Sequence, residues 1–247
     1  MKLVFSFDDG RDDFIKSALT LNKYNLVGSF HITTGFIDGS FATDAFGIGR
    51  KPLSINELKT MKEMGMDVSS HGDKHITEYK DFINSYNKLQ NWLDLKGKIG
   101  LSVPNSDFTD EQLNDFENKL SDKLTYVRVG RSPKCYSVFG KISYVLYHLL
   151  HWQVFFNKFN KSNLIKEFDK NKIVSLVVKK DTKVKHLVNF IDKYKNENCV
   201  LVLMFHSVVE NPTNTWEYSE KQFDELCSFV SKNQIKTYTL EELANGK

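Results

Sequence analysis

The chain has 247 residues, 40% of them hydrophobic and 26% charged, which is ordinary for a folded globular protein. Its 34 basic and 31 acidic residues leave a net charge of +3, which argues against a nucleic-acid-binding surface because such domains are strongly basic. Three widely spaced cysteines, Cys135, Cys199 and Cys227, form no C-x-x-C pair, so we expect free thiols rather than a disulfide framework.

Short apolar segments alternate with segments of helical periodicity along most of the chain. The predicted strands cover residues 2–7, 27–32, 66–69, 98–103, 124–129, 173–178 and 199–205. The predicted helices cover residues 12–23, 54–64, 77–94, 109–120, 184–195 and 219–232. Such alternation predicts parallel strands with crossover helices. We therefore predict an α/β fold, a distorted (β/α) barrel of about seven parallel strands, as a single domain over residues 1–247 with an aromatic-rich insertion.

The insertion, at about residues 133–160, interrupts this alternation. Its aromatic residues are Tyr136, Phe139, Tyr144, Tyr147, Trp152, Phe155, Phe156 and Phe159. No transmembrane segment is predicted, because polar residues such as Lys141, His148 and His151 interrupt the apolar run before the roughly 20 residues that a span needs. We favour an inserted helix packed on the barrel, with both histidines as its polar edges. The alternative is an amphipathic lid or interfacial helix that touches a lipid-linked or oligomeric partner.

Two adjacent carboxylates, Asp8 and Asp9, end the first predicted strand and precede Gly10. Side chains alternate along a strand, but a bend at this glycine can turn both acids toward one cleft. One acid could then bind a metal ion while the other handles protons. The alternative is a solvated turn with an acidic cap on the next helix. A phosphoryl-transfer site is disfavoured, since the chain has no P-loop and the two aspartates are adjacent.

Histidines supply the rest of the candidate site. His71 and His75 are four residues apart, a spacing that places both on one face of a helical turn, where they could reach one ion together with Asp9. Two histidines and one carboxylate are used by hydrolytic zinc and oxidative iron sites. His206 follows the last predicted strand. Asp8, Asp9, His71 and His206 fall at the carboxyl ends of strands, where parallel barrels carry their chemistry, so the pattern predicts a mononuclear metal hydrolase.

Three other polar residues are given interpretations other than metal binding. His31 lies inside an apolar stretch and is interpreted as a buried, hydrogen-bonded histidine rather than a ligand. Asp73 and Lys74 lie between the two candidate ligands and face either the substrate or the solvent.

These motifs resemble those of the NodB-homology polysaccharide deacetylases, carbohydrate esterase family 4. The sequence SFDDG at 6–10 resembles the family's T-F-D-D-G motif, and HGDKH at 71–75 resembles its second motif, H-S/T-x-x-x-H in effect. The stretch at 201–206 is similar to the late L-x-L-H motif, and residues 216–243 are similar to the closing helix, strand and helix. The resemblance extends from residue 3 to about 243 and is weakest between 105 and 195.

The resemblance implies a distorted barrel and the metal-dependent removal of an acetyl group from an N-acetylated sugar or polysaccharide. It implies that Asp9, His71 and His75 hold one divalent ion, with zinc favoured and cobalt, nickel, iron or manganese as alternatives. Asp8 would then be the general base that takes a proton from water. His206 would be the general acid that protonates the leaving amine.

Two departures from the family pattern concern the surroundings of the metal. The third motif, R-x-P-Y-G, has its nearest match at 101–106, which lacks the arginine that braces the base in the family. Arg128 and Arg131, at a later strand end, are candidates for that role or for substrate binding, and the backbone N–H of Asn105 is a candidate for stabilising the oxyanion. The D-x-x-D-W motif has no clear counterpart, and Asp181 is its candidate substitute.

We therefore expect a metal-dependent carbohydrate deacetylase. Two alternatives stay open: hydrolysis of a non-sugar C–N amide bond at the same metal site, or a non-catalytic glycan-binding domain, which the missing arginine favours. The candidate site begins too close to Met1 to leave room for a signal peptide. We accordingly expect a cytoplasmic or membrane-adjacent protein that acts on a precursor glycan, oligomeric or lipid-linked, and has no nucleic-acid partner.

Overall fold

The computed structural model describes residues 1–42, 50–106 and 109–247. One parallel sheet of seven strands forms its centre, in the spatial order β5-β4-β3-β2-β1-β7-β6. The strands are β1 (Lys2–Asp9), β2 (Gly28–Ile32), β3 (Asp67–Ser70), β4 (Ile99–Ser102), β5 (Leu124–Arg128), β6 (Leu176–Val177) and β7 (Val200–Phe205). All seven predicted strands are present, and their ends differ from prediction by at most three residues.

The segment from residue 170 to 178 joins the two edges of this sheet. On one side, the Ile173 N–H donates to the Val127 carbonyl of β5 at 2.9 Å. On the other, the Val178 N–H donates to the Met204 carbonyl of β7 at 2.8 Å. The strands therefore curl into a distorted barrel, as predicted, with the 170–178 segment as its seam.

Helices cover the outside of the barrel. Those within the described residues are α1 (Phe14–Lys23), α2 (Thr34–Asp38), α3 (Ile55–Glu63), α4 (Tyr79–Leu93), α5 (Asp110–Leu120), α6 (Val138–Leu150), α7 (Gln153–Asn160), α8 (Val184–Tyr194), α9 (Glu220–Lys232) and α10 (Leu240–Ala244). The six predicted helices correspond to α1, α3, α4, α5, α8 and α9. Two short parallel strands that were not predicted, β8 (Ser207–Val209) and β9 (Glu217–Ser219), follow β7. In none of the described ranges does a helix have the length and apolar character required to cross a lipid bilayer.

The alternation of β1 separates two environments. Its Phe7 ring faces outward and contacts Phe14 of α1 and Phe223 of α9, each with ring centroids 5.8 Å apart. Ser6 and Asp8 face the opposite way, into the barrel. The sequence of β1 reads as a nearly continuous apolar run, yet its inward face carries polar groups toward the carboxyl end.

The insertion forms two helices rather than the single helix that we predicted. Helix α6 ends because His151 adopts a left-handed φ of +49°, which reverses the chain before α7 begins. The hairpin packs on the barrel through Tyr147, whose ring lies 5.5 Å from His186 of α8, and through Phe156, which lies 5.8 Å from Phe190 of the same helix. The side of the hairpin that faces the barrel is therefore packed, as the favoured interpretation predicted.

Candidate metal centre

Asp9, His71 and His75 converge at the carboxyl ends of β1 and β3. The two Nε2 atoms are 3.1 Å apart, and they lie 3.7 Å (His71) and 3.9 Å (His75) from Oδ1 of Asp9. Two imidazole nitrogens and a carboxylate oxygen, each about 2.0–2.2 Å from a zinc-like ion in tetrahedral geometry, would be separated by roughly 3.3 Å. The donor set therefore fits one divalent transition-metal ion with little adjustment.

The local backbone brings these side chains together. Asp9 has a φ of +99°, a conformation rare outside glycine, and Gly10 follows with +93°, so the chain bends where the carboxylates begin. Strained backbone at a cluster of possible ligands is a common feature of functional sites.

The two histidines lie on an irregular loop, so the predicted helical turn is wrong although the predicted convergence is right. Gly72 and His75 both have positive φ values, +83° and +55°. The Asp81 carboxylate of α4 accepts the N–H groups of Asp73 and Lys74 at 2.9 and 2.7 Å and so fixes the loop. A Cβ on Gly72 would lie 2.3 Å from Asp81 Oδ2, so the close approach of this carboxylate requires glycine.

Hydrogen bonds and burial set the protonation states of the three candidate ligands. The Nδ1 of His71 lies 2.9 Å from the Ser102 carbonyl, which as an acceptor places the proton on Nδ1 and leaves Nε2 free to bind a metal. Burial lowers the pKa values of His71 and His75, which favours the neutral, ligating form. Burial also raises the pKa of Asp9 to about 7, although Arg11, which donates to Oδ2 at 2.9 Å, opposes that rise.

Asp8 lies against a buried arginine inside the barrel. Arg128, 1% exposed, donates from Nη2 to Oδ2 of Asp8 and to the Ser102 hydroxyl, while its Nη1 lies 2.6 Å from the Met204 sulfur. Burial by itself would raise the pKa of Asp8, but the guanidinium and the nearby imidazoles hold it well below its usual value. Asp8 is therefore ionised at neutral pH, as a proton acceptor must be.

A chain of buried polar groups continues from Asp8 through the barrel. His31 Nδ1 lies 3.3 Å from Asp8 Oδ1, and its Nε2 lies 2.9 Å from the Tyr126 hydroxyl. That hydroxyl donates to Asp67 at 2.7 Å. A Cβ on Gly100 would lie 2.0 Å from the Tyr126 ring, so this glycine provides the space for the ring. His31 is thus a buried, hydrogen-bonded histidine, as its sequence context indicated.

The three candidate substrate or oxyanion residues occupy different places. Arg128 lies beneath Asp8 and is absent from the cavity wall among the described residues, so its position suits the bracing role. Arg131 lines the cavity and lies over the ring of Phe159, 5.1 Å from its centroid. Asn105 also lines the cavity and has a left-handed φ of +56° in the short turn after β4.

His206 faces the same cavity from the end of β7. Its ring is 4.5 Å from that of Trp216, over which Lys179 Nζ lies at 4.3 Å. Its environment, withdrawn from bulk water, lowers the pKa of His206 to about 4, so the imidazole is neutral at neutral pH. Asp181 does not take the place of the missing D-x-x-D-W carboxylate, because it pairs with His148 at 2.5 Å instead.

Asp13 binds the start of β8, directly after His206. Its buried carboxylate accepts the Ser207 hydroxyl at 2.9 Å and the Val208 N–H at 2.7 Å rather than capping α1. Asp73 is likewise buried and structural, because it accepts the Thr34 hydroxyl at 2.8 Å and so does not face a substrate.

We expect Asp13→Ala to lower the kcat of any hydrolysis carried out at this site about tenfold or more, without loss of metal, because His206 loses its support. Each of the two orphaned donors should also reduce the free energy of unfolding by about 1–3 kcal/mol. Asp13→Asn keeps one acceptor and should fall between Ala and wild type. Steady-state kinetics with parallel metal analysis would check this, and loss of metal in Asp13→Ala would contradict it.

The cavity has a volume of about 350 Å³, within the usual range for small-molecule sites. The sequence identified five of its residues as the main site: Asp8, Asp9, His71, His75 and His206. Tyr136 was named only as an aromatic of the insertion, and Arg11 and Trp216 were not singled out, although all three line the cavity. Arg11 directly follows the DDG motif, and this position was its only sequence signal.

Comparisons with known proteins agree with the motif resemblance at the level of fold. No protein-family model matches the sequence, and no curated protein matches it. Among solved structures, the chain is similar to a family 4 acetyl xylan esterase from Clostridium thermocellum in complex with a cobalt ion (TM-score 0.55, 13% identity, 99% of this chain and 91% of that chain). It is also similar to the Bc1960 peptidoglycan N-acetylglucosamine deacetylase (TM-score 0.51, 12% identity, 98% and 86%).

A third similar structure is BA3943, a CE4 family pseudoenzyme from Bacillus anthracis (TM-score 0.52, 10% identity, 98% of this chain and 65% of that chain). The chain covers 56% of the Streptococcus pyogenes deacetylase PplD and 58% of IcaB from Ammonifex degensii. At these identities the likeness shows the fold, which is the one found in carbohydrate esterase family 4 structures.

Proposed function

We propose that this protein is a divergent carbohydrate esterase family 4 deacetylase that hydrolyses the acetamido group of an N-acetylated sugar. The observation that carries the proposal is the pairing of an unligated, ionised carboxylate, Asp8, with a separate three-ligand group in one cavity. A non-catalytic glycan-binding domain has no need for a buried base with its own arginine, because keeping such a pair out of water is costly.

The chain's residues divide the work of amide hydrolysis. An ion held by Asp9, His71 and His75 would polarise the acetyl carbonyl and lower the pKa of a water molecule. Asp8 accepts the proton of the attacking water, and Arg128 keeps that carboxylate ionised beforehand. The backbone N–H of Asn105 is the proposed donor to the developing oxyanion.

His206 delivers a proton to the leaving amine nitrogen. The imidazole starts neutral, with its pKa lowered to about 4, so it must first take up a proton, and the proton that Asp8 removes from the attacking water balances the one that the amine receives. Negative charge that develops on the substrate favours the charged imidazolium and so raises its proton affinity as the reaction proceeds. Trp216 packs against the ring and keeps it facing the cavity.

Two aromatic side chains support a sugar as the substrate. Tyr136 and Trp216 line the cavity and remain accessible, with 58% and 42% of their surfaces exposed. Accessible aromatic faces with a polar edge suit the apolar faces and hydroxyl groups of a pyranose ring. Arg131, on the same wall, can donate hydrogen bonds to those hydroxyls.

Metal content and acetate release together test the proposal. We expect about one equivalent of a divalent transition metal per chain, as for a single three-ligand catalytic site. Acetate release from one or more members of a panel of N-acetylated sugars should disappear after dialysis against a chelator. It should return when zinc or cobalt is restored.

Other outcomes separate the alternatives. Turnover of small non-sugar amides alone would replace the sugar with a different C–N substrate at the same metal site. A bound metal with no acetate release from any sugar or amide would favour glycan binding without catalysis. Failure to bind metal after reconstitution would show that Asp9, His71 and His75 do not form the proposed centre.

A further inference from the structure

Helix α6 presents its apolar side outward. Its buried residues are Ser143 and Tyr147, whereas Phe139 is 82% exposed and Leu149 is 71% exposed. A helix on the surface of a globular protein normally has the opposite arrangement, with its apolar stripe facing the core. Packing on the barrel therefore does not account for the exposed apolar residues of this helix.

The exposed apolar residues are concentrated in the hairpin, and we call this set of residues the apolar face. Nine of the thirteen exposed large hydrophobic side chains among the described residues lie within residues 136–154. The apolar face consists of Tyr136, Val138, Phe139, Ile142, Val145, Leu149, Leu150, Trp152 and Val154. Concentration of exposed apolar residues in one place marks an interaction surface, whereas scattered ones do not.

The charged residues of the hairpin itself are all basic, and one acid from outside it, Asp181, pairs with His148 of α6. None of residues 123–166 is Asp or Glu, although the whole chain contains 31 acidic residues. Lys141, Lys158 and Lys161 are exposed on or beside the hairpin. Apolar residues that include Trp and Phe, together with lysines and no acids, complement an anionic lipid surface. A second copy of the chain fits less well, since pairing two such faces would bring like charges together.

The apolar face adjoins the mouth of the cavity. Tyr136 belongs to both, since it lines the cavity and is largely exposed at the start of the hairpin. We propose that residues 136–154 dock the protein on an anionic membrane surface, with the cavity mouth turned toward the headgroups. This inference goes beyond the proposed function and depends only on the hairpin.

Co-sedimentation of the full chain with vesicles tests the inference. Vesicles of equimolar phosphatidylcholine and phosphatidylglycerol should bind the wild-type protein, and phosphatidylcholine vesicles should bind it more weakly. Phe139→Ser combined with Leu149→Ser should weaken partitioning about tenfold or more, because two apolar anchors are lost. The matched control is Leu19→Ser, which changes an exposed leucine of α1 and should leave partitioning unchanged.

Charge reversal gives a second, independent comparison. Binding to the anionic vesicles should weaken by about a hundredfold or more in the triple variant Lys141→Glu, Lys158→Glu, Lys161→Glu. The same triple reversal at the exposed residues Lys59, Lys221 and Lys232 should have a much smaller effect. Circular dichroism would confirm that each variant is folded.

Three results would overturn the inference. The first is no binding of the wild type to anionic vesicles at low salt. The second is equal losses in hairpin and control variants. The third, from sedimentation velocity, is a dimer that the Phe139→Ser, Leu149→Ser variant dissociates, since the face would then serve self-association. No readout depends on turnover, so failure here would leave the proposed deacetylase activity untouched.

Discussion

Asp8→Asn should lower kcat/KM for acetate release by about 10²–10⁴-fold, the range typical for loss of a general base. The amide oxygen can still accept a hydrogen bond from Arg128, but it cannot take a proton from water. Because Asp8 is not one of the three proposed ligands, the variant should retain its metal. Kinetics and elemental analysis on the same preparation would check both statements.

Two comparison variants separate loss of the base from a surface effect and from loss of the metal. Asp12→Asn changes an exposed aspartate four residues further along, and its activity should stay within about twofold of wild type, as for a surface substitution. His71→Ala should instead lose the metal: altering outer-shell partners already costs 10–100-fold in affinity, so loss of a ligand should cost at least about 100-fold. Unchanged turnover in Asp8→Asn would refute the assignment of this residue as the base.

Arg128→Met should reduce the free energy of unfolding by about 3–5 kcal/mol, because it leaves the Asp8 carboxylate buried without its countercharge. The depressed pKa of Asp8 determines how the stabilisation by this ion pair changes with pH. The stabilisation is fully present above the unfolded-state pKa of about 3.9, and it is lost as the pH falls through the lower folded-state value. Denaturant unfolding at neutral and acidic pH would measure both effects.

A double-variant cycle separates the ion pair from simple packing. Adding Asp8→Asn to Arg128→Met should recover much of the lost stability, since a neutral amide needs no countercharge. Arg131→Met is the matched control, because this arginine lies on the cavity wall over an aromatic ring, an interaction that contributes about 1 kcal/mol. Equal losses for Arg128→Met and Arg131→Met would contradict a special role for the buried pair.

The sequence predicted the barrel because its signals are local and regular. Seven apolar runs separated by helical segments gave every strand of the main sheet, and the adjacent acids identified the end of β1. The strands β8 and β9 were missed since three-residue strands are too short to show a period. Helix α10 has five residues and is similarly short, although the family resemblance implied a final helix.

The surroundings of the site were harder to predict, because they depend on contacts between distant segments. Spacing alone suggested a helical turn for His71 and His75, whereas Asp81 fixes an irregular loop there through backbone N–H groups. Asp13 has the sequence position of a helix cap, yet it binds the start of β8, nearly 200 residues away. Arg128 could be named only as one of two candidates, since its pairing with Asp8 depends on the closed barrel.

The seam at residues 170–178 links barrel closure to the chemistry of the base. Among the described residues, this segment alone closes the gap between β5 and β7, the two sides of the barrel that β1 to β4 do not join directly. Its regular part, β6, has two residues. Opening of the seam would admit water to Arg128 and Asp8, and a higher local dielectric constant would weaken their attraction. The proton affinity of the base is thus set partly by a short strand remote from it in sequence. Any opening of the barrel wall at this segment would therefore change the basicity of Asp8.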